Sequence, residues 1–294
     1  MSVAIENRYD FVYLYDCLDG NPNGDPDAAN QPRLDPETLQ GLVSDVCIKR
    51  KIRNYALLRG QSIFVRHHGV LNEEIAKAEP KPEGKEKERD REGRKAAAKW
   101  MCANHFDVRA FGAVMSTGSN AGQVRGPVQL TFSRSVDPVL TLDLSITRIA
   151  ITKEEDRDKK ETEMGRKNLI PYGLYRCHGF VSAHLARQTS FSGNDLNLLW
   201  EALKMMFDQD RSASRGTMSA QALVSFKHVG TDGDTEQKRR QSMLGCAPAH
   251  KLFELVSVVK EVAGAPRRFS DYKLQAPPAG PLKEFPGVEV ERLL

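Results

Sequence analysis

The sequence predicts an α+β fold, a ferredoxin-like βαββαβ sheet that carries insertions. Three observations predict it. Strand-like runs and two helical stripes follow one another in the order strand, helix, strands, then strands, helix, strand. Two segments of dense mixed charge interrupt that order and are too polar to build a core. No internal repeat divides the 294 residues, a length that suits one large domain over residues 1–294 with insertions.

The first strand is Arg8–Cys17 (RYDFVYLYDC), rich in aromatic and branched residues. It breaks into Asp19-Gly20-Asn21-Pro22-Asn23-Gly24-Asp25-Pro26-Asp27, a dense turn sequence. Its start matches a calcium loop, but Asn30 stands where a bidentate Glu would close the site, and two prolines stiffen it. The alternative is a rigid polar loop whose Asn21 and Asn23 amides hold phosphates or a neighbouring subunit. Asp35-Pro36 then reads as a helix start continuing to Leu58, with Leu39, Leu42, Val43 and Val46 at helical spacing. Five basic residues and no acidic one lie between Lys49 and Arg59, so Lys49, Arg50 and Arg53 are candidate phosphate contacts. A merely solvated face is the competing explanation.

Gln61–Leu71 reads as a second strand, which would point His67 and His68 to opposite faces. Residues 75–99 read as a charged helical surface insertion that docks back through Trp100, Met101 and Phe106. Phe106–Met115 and Val128–Phe132 read as strands joined by a glycine-rich turn, with Arg109, Arg125 and Arg134 around it. No carboxylate lies between Asp107 and Asp137, so this is a candidate nucleic-acid surface, or else a long hairpin with a mobile tip.

Val139–Ile151 alternates as a strand with Tyr172–Ala183 as its expected partner, and residues 152–171 between them read as a projecting hairpin. Six basic and six acidic residues from Lys153 to Lys167 surround one exposed hydrophobe, Met164, next to Arg166 and Lys167. Such a methionine suits a wedge between bases or a contact with a neighbour. Asn194 or Asp195 is expected to cap a second core helix carrying Leu196, Leu199, Trp200, Leu203, Met206 and Phe207. Ala222–Val229 and Leu252–Val262 are further apolar elements flanking a charged loop from Gly230 to Gln241. The tail after Ala276 reads as a surface wrap or a disordered end.

Composition mainly excludes. The net charge of +4 is uninformative, so the distribution of charge matters more. Cys17, Cys47, Cys102, Cys177 and Cys246 form no CxxC pair and no Cys/His spacing, which argues against zinc or a disulfide framework. No signal-like start and no bilayer-length apolar run are present, so a cytoplasmic protein with no membrane partner is expected. P-loop, GxSxG, HExxH and Rossmann patterns are missing, so no catalytic residue, metal or cofactor is predicted.

Five ordered motifs go further. They are Asn21–Pro26, Asp45–Tyr55, Asp107–Gly112, Gly126–Gln129 and Ile170–Tyr175. Together they resemble the backbone subunit of type I CRISPR surveillance complexes (Cascade), of the RAMP superfamily, most like the type I-C form. The resemblance covers nearly the whole chain. It implies a right-hand shape, with an RRM-like palm, a helical finger insertion (60–105) and a thumb hairpin (152–171). It implies a non-catalytic subunit that lines up in several copies along CRISPR RNA and presents the spacer to target DNA. Further copies of itself and other subunits of the complex would be its protein partners. Asn21, Asn23, Lys49, Arg50, Arg53, Arg109, Phe111, Arg134, Met164, Arg166 and Lys167 would then face the guide. Strand aromatics for base stacking are not evident, so backbone and shape would be recognised. A guide-processing endoribonuclease of the same superfamily is the alternative, with His67, His68 or His178 as general base.

Overall fold

The computed structural model of the chain describes residues 3–81, 89–150, 154, 163–231 and 233–294. β1 (Tyr9–Gly20) is buried on both faces. Tyr9, Phe11, Tyr13, Tyr15 and Cys17 enter one apolar cluster, while Val12 and Leu14 enter a second on the opposite side. Period-two alternation therefore separates two cores, not core from solvent. A short hairpin, β2 (Gly24–Asp25) and β3 (Gln31–Pro32), follows, then the strand β4 (Gln40–Val43).

α1 (Asp45–Leu58) begins well after the expected start at Asp35. Asp35 instead closes a turn, its Oδ1 accepting from the backbone N–H of Glu37 at 3.0 Å and Thr38 at 3.3 Å. Leu39 has a positive φ of 56°, and Leu42 and Val43 lie in a strand. A short apolar run fits either period, and here sheet pairing decided it. Ser44 is the true cap, its Oγ accepting from Cys47 N–H at 3.3 Å.

The segment from Gln61 to Val70 is irregular where a strand was expected, and α2 (Leu71–Lys77) and α3 (Arg91–Asn104) follow. The carboxylate of Asp107 takes the place of a strand partner, accepting from Phe64 N–H at 2.7 Å and Val65 N–H at 3.0 Å. α4 (Phe106–Phe111) replaces the first half of the strand expected at Phe106–Met115. Only β5 (Gly112–Met115) is extended, and it forms a hairpin with β6 (Gly122–Arg125). Gly112 has φ +81° and packs so closely that a Cβ there would lie 2.3 Å from Val124 O. This glycine serves backbone packing within the chain.

The charged insertion has a core of its own, contrary to expectation. Phe64, Ile75, Ala97, Met101, Val108 and Met115 form a third cluster. Arg89, 4% exposed, fastens it by donating to Pro80 O at 2.6 Å, Ser119 O at 2.7 Å and Ala78 O. Met101 and Phe106 are buried as expected. Residues 82–88 of the insertion lie outside the described residues.

β7 (Val128–Leu130), β8 (Ser133–Pro138) and β9 (Leu142–Arg148) precede the long strand β10 (Glu163–Val181). From Ile170 onward β10 pairs with β1, and near its end with β7 and β8. Its first part, Glu163–Leu169, pairs with β9 and leaves the main sheet as one arm. The partner of β9 is thus this stretch, not Tyr172–Ala183, and the arm begins at Leu142. α5 (Ala183–Thr189) leads to α6 (Gly193–Gln209), whose cap is Ser192 with Asp195 closing the capping box. The expected stripe from Leu196 to Phe207 is buried.

β11 (Thr217–His228) is followed by α7 (Thr235–Leu244), a helix capped by Asp234 where a loop was expected. α8 (Ala249–Glu254), β12 (Ser257–Lys260) and β13 (Tyr272–Gln275) cover the second cluster. The tail is ordered into β14 (Gly280–Pro281) and β15 (Val288–Arg292), because Val288 and Val290 are buried and β15 pairs with β11. The sheet order is β14-β15-β11-β1-β10-β8-β4, with β7 and β9 also on β10, and every pairing is antiparallel.

Two nodes hold the elements around this sheet. Asp195 accepts from Ser192 N–H at 2.8 Å and receives Arg109 in a two-point pair at 3.1 and 2.7 Å. On the other side of the sheet, Arg176 donates to Phe253 O, to Val256 O and to His178 Nε2 at 2.9 Å. The His178 ring is stacked on Phe253 with centroids 4.3 Å apart. Burial, reinforced by Arg176, pushes the imidazole down to about 4, so it stays neutral and accepts.

Two predictions follow from these nodes. Asp195→Ala removes the second half of the capping box and strands the half-buried Arg109 guanidinium, so urea unfolding shows a loss of about 3 kcal/mol. Adding Arg109→Met recovers part of it, and a loss below about 0.5 kcal/mol contradicts the assignment. For His178, the unfolded chain takes up the proton first, since an ordinary imidazole titrates near 6.5. Its contribution is therefore full above about 6.5 and is lost as pH falls towards 4. Urea midpoints of His178→Gln fall less steeply than those of the parent across that window; identical slopes contradict the assignment.

Candidate nucleic-acid interface

The loop after β1 is rigid and its amides face inward. Asn21 is buried, donating its backbone N–H to Ser214 O at 2.8 Å and its Nδ2 to Asn30 O at 2.6 Å. Its Oδ1 is buried without a partner among the described residues. Asn23 Oδ1 accepts from both the N–H and the Oγ of Ser44 at 2.9 and 3.0 Å, tying the loop to the start of α1. Among the described residues no group of three or more His, Cys, Asp or Glu is placed to hold a metal.

The basic face of α1 is largely balanced by carboxylates, Asp45 from its own first turn and the others brought to it by folding. Lys49 pairs with Asp45 at 2.9 Å, Arg53 with Asp107 at 2.9 Å and Arg59 with Glu201 at 3.1 Å. Lys51 is buried against Asp210, and desolvation lowers its ammonium below the usual lysine range. Arg50 alone among these cations is exposed and has no ion pair among the described residues. Lys49 and Arg53 sit 5.8 and 5.1 Å from the centroid of Phe111, whose ring is only 7% exposed beneath them.

Arg109 lies apart from this group, on α4, held by Asp195 and by Cys102 O at 2.7 Å. Arg134 on β8 is half exposed and pairs with Asp35 at 2.6 Å; this guanidinium holds the Asp35 carboxyl below its usual range. The structure therefore joins Asn21, Asn23 and α1, and separately Lys49, Arg53 and Phe111. It does not join Arg109 to either.

The arm presents two different faces. Cross-strand pairing puts Leu144 and Ile146 with Lys167 and Gly165 on one face, and Ser145 and Thr147 with Arg166 and Met164 on the other. Met164 and Arg166 are both highly exposed, and Arg166 reaches Asp143 at 3.3 Å. Lys167 is half-buried. Leu144 and Ile146 are exposed too, so Met164 is not the sole hydrophobe of the arm. Residues 151–153 and 155–162, which include most of the expected projecting tip, lie outside the described residues. Asn168, missed by the sequence reading, donates to Ala29 O at 3.0 Å and ties the arm base to the loop. Asp107 was missed as a node because only folding brings Arg53, Phe64 and Val65 to it.

The histidines do not assemble a site. His67 and His68 are exposed in a turn, not a strand, with ring centroids 3.9 Å apart and His68 at φ 58°. They therefore meet, contrary to the opposite-face expectation. His178 is engaged with Arg176 and Phe253 as described. No helix of the described residues is long and apolar enough to cross a membrane.

Comparison with known proteins agrees with this architecture. The chain is 29% identical over 281 residues to "CRISPR-associated protein Cas7" of Haloferax volcanii, covering 87% of this chain and 81% of that protein. A chain of the solved structure "CRISPR RNA-guided surveillance complex, pre-nicking" superposes with a TM-score of 0.50 at 14% identity, over 77% of this chain and 79% of that one. This second likeness bears on the fold alone. The family model for CRISPR-associated protein Cas7 matches residues 7–277, and the chain belongs to that family.

Proposed function

We propose that this chain is a backbone subunit of a CRISPR RNA-guided surveillance complex, binding guide RNA without cutting it. The observation that carries the proposal is the family match over residues 7–277, which takes in the insertion, the arm and every strand of the sheet except β14 and β15. Its partners are the guide, target DNA paired to that guide, further copies of itself and other subunits, and its place is the cytosol. The five sequence motifs support the type I-C form. The strand order β11-β1-β10-β8 supports a ferredoxin-like palm, being the order four-one-three-two of the βαββαβ unit. On that scheme residues 60–105 are the finger and residues 152–171, extended back to Leu142, belong to the thumb.

The groups free to meet a phosphodiester chain are Arg50, Arg134, Met164, Arg166 and Lys167. Arg50 has no competing carboxylate among the described residues, and Arg134 and Arg166 hold exposed pairs that a phosphate can exchange. Lys49 and Arg53 contribute field at closer quarters. Asn21 and Asn23 act by fixing the loop, and Arg109 and Phe111 by fixing α4. Met164 stands where a thioether can enter between bases without selecting one. Both sheet faces are covered, so base stacking on strand aromatics, as on an open RRM sheet, is not used.

Replacing the arm between Leu142 and Leu169 with a short Gly/Ser turn tests the reading. Thermal melting stays within a few degrees, because the described arm residues between those ends are not buried. Protection of guide RNA from added nuclease drops sharply, and Met164→Ala gives a milder form of the same defect. Unfolding of the arm-deleted protein, or guide protection equal to the parent, contradicts this role.

A further inference from the structure

A second basic groove lies on the opposite side of α4 from α1. Two cavities of about 410 and 720 Å³, formed by α3, α5, β6 and the start of α6, share Lys99, Cys102, Gln188 and Thr189. Arg91, Arg94, Lys99, Arg125 and Arg187 line them, and none has a carboxylate partner among the described residues. Asp195 is the one carboxylate lining either cavity, and Arg109 already neutralises it. The contrast with α1 is informative, because there folding supplied a carboxylate to nearly every cation. Here folding gathers five such cations from three elements that are distant in sequence; Lys95, also in the lining, pairs with Glu92 at 2.8 Å, and Arg187 also borders a cavity lined by Asp234 and Glu236.

The geometry suits a strand of phosphates. On α3 the cations Arg91, Arg94 and Lys99 are three and five residues apart, about 4.5 and 7.5 Å of rise along the helix. Arg125 on β6 lines the smaller cavity and Arg187 on α5 the larger, and Gln123 and Gln188 join the lining. Small groups, Ala98 and Gly122, leave the way open, and no aromatic ring lines either cavity. A polyanion held there would be gripped by its backbone without base stacking. α4 separates this groove from α1, since Asp107 turns to Arg53 while Arg109 turns to Asp195.

We propose that this groove binds a single strand of DNA other than the one paired with the guide, independently of its sequence. The proposal rests on the guide-binding reading above, because pairing a guide to one strand of a duplex necessarily displaces the other. The charge pattern, unpaired cations along an open path, fits that occupant.

The test uses the full chain assembled on guide RNA, with a labelled oligothymidylate that cannot pair with the guide. The triple variant Arg94→Gln/Arg125→Gln/Arg187→Gln is compared with the parent. The expected result is unchanged guide affinity and thermal melting, oligothymidylate binding weakened about tenfold or more, and a log–log salt slope shallower by about 2. Equal oligothymidylate binding by parent and variant overturns the proposal, as does no binding by the guide-saturated parent. Parallel loss of guide affinity also overturns it, by making the groove part of the guide path. Polyglutamate displacing the oligothymidylate at a lower charge concentration than unlabelled strand assigns the groove to an acidic polypeptide instead, and overturns it. If the parent fails to bind guide RNA, the guide-binding reading fails by itself. In that case the same variant comparison on the free chain still decides the groove, weaker binding supporting it and equal binding overturning it.

Discussion

Burial of both faces of β1 is the constraint on which the molecule depends. Tyr13 and Tyr15 are closed off on one side and Val12 and Leu14 on the other, each with 1% exposure or less. A sheet covered twice gives stability through area removed from water, about 25 cal/mol per Å² of apolar surface. It also removes the flat aromatic face on which an RRM-type sheet would stack bases. The guide contacts proposed above accordingly lie off the sheet faces, at the outer side of α1, at Arg134 on β8 and on the arm. The arm itself inherits its anchorage from the sheet, because β10 is one continuous strand from Glu163 to Val181.

Beside local pairs such as Lys49 with Asp45, the buried charge of this chain is arranged by folding. Asp107 shows how: it takes two backbone N–H groups and Arg53, and so fixes the insertion, α4 and α1 together. Asp195 does the same for α4 and α6. Cations held in such pairs are positioning groups, and the loss of one partner costs more than the pair contributes. The cations left without partners are then the informative ones. Two groups of them bear on the proposals above, Arg50 on the outer side of α1 and the cations of α3, β6 and α5 that line the second groove.

Elements whose pattern was long and unambiguous were legible in the sequence. Arg8–Cys17, the stripe from Leu196 to Phe207 and the second part of the helix expected over 35–58 needed only local periodicity. Short apolar runs were not legible, because Leu42 and Val43 fit helix and strand alike until β8 pairs with them. Phe106–Phe111 became helical although its apolar run reads as strand. Gly230–Gln241 hid α7, whose polar surface carries no stripe. The candidate site was legible as residue types on α1 and the arm. It was not legible as partners, since Asp107, Glu201 and Asp210 reach the cations of α1 from far along the chain.

The central claim is that the chain binds guide RNA along its length and leaves it intact. Size-exclusion chromatography with light scattering and two-wavelength absorbance, on guides of increasing length, tests it most directly. The account predicts a protein mass that rises in whole-subunit steps with guide length, and RNA recovered at full length after incubation without divalent metal. A mass independent of RNA length contradicts it, as does cleavage of the RNA that a His178→Ala change abolishes.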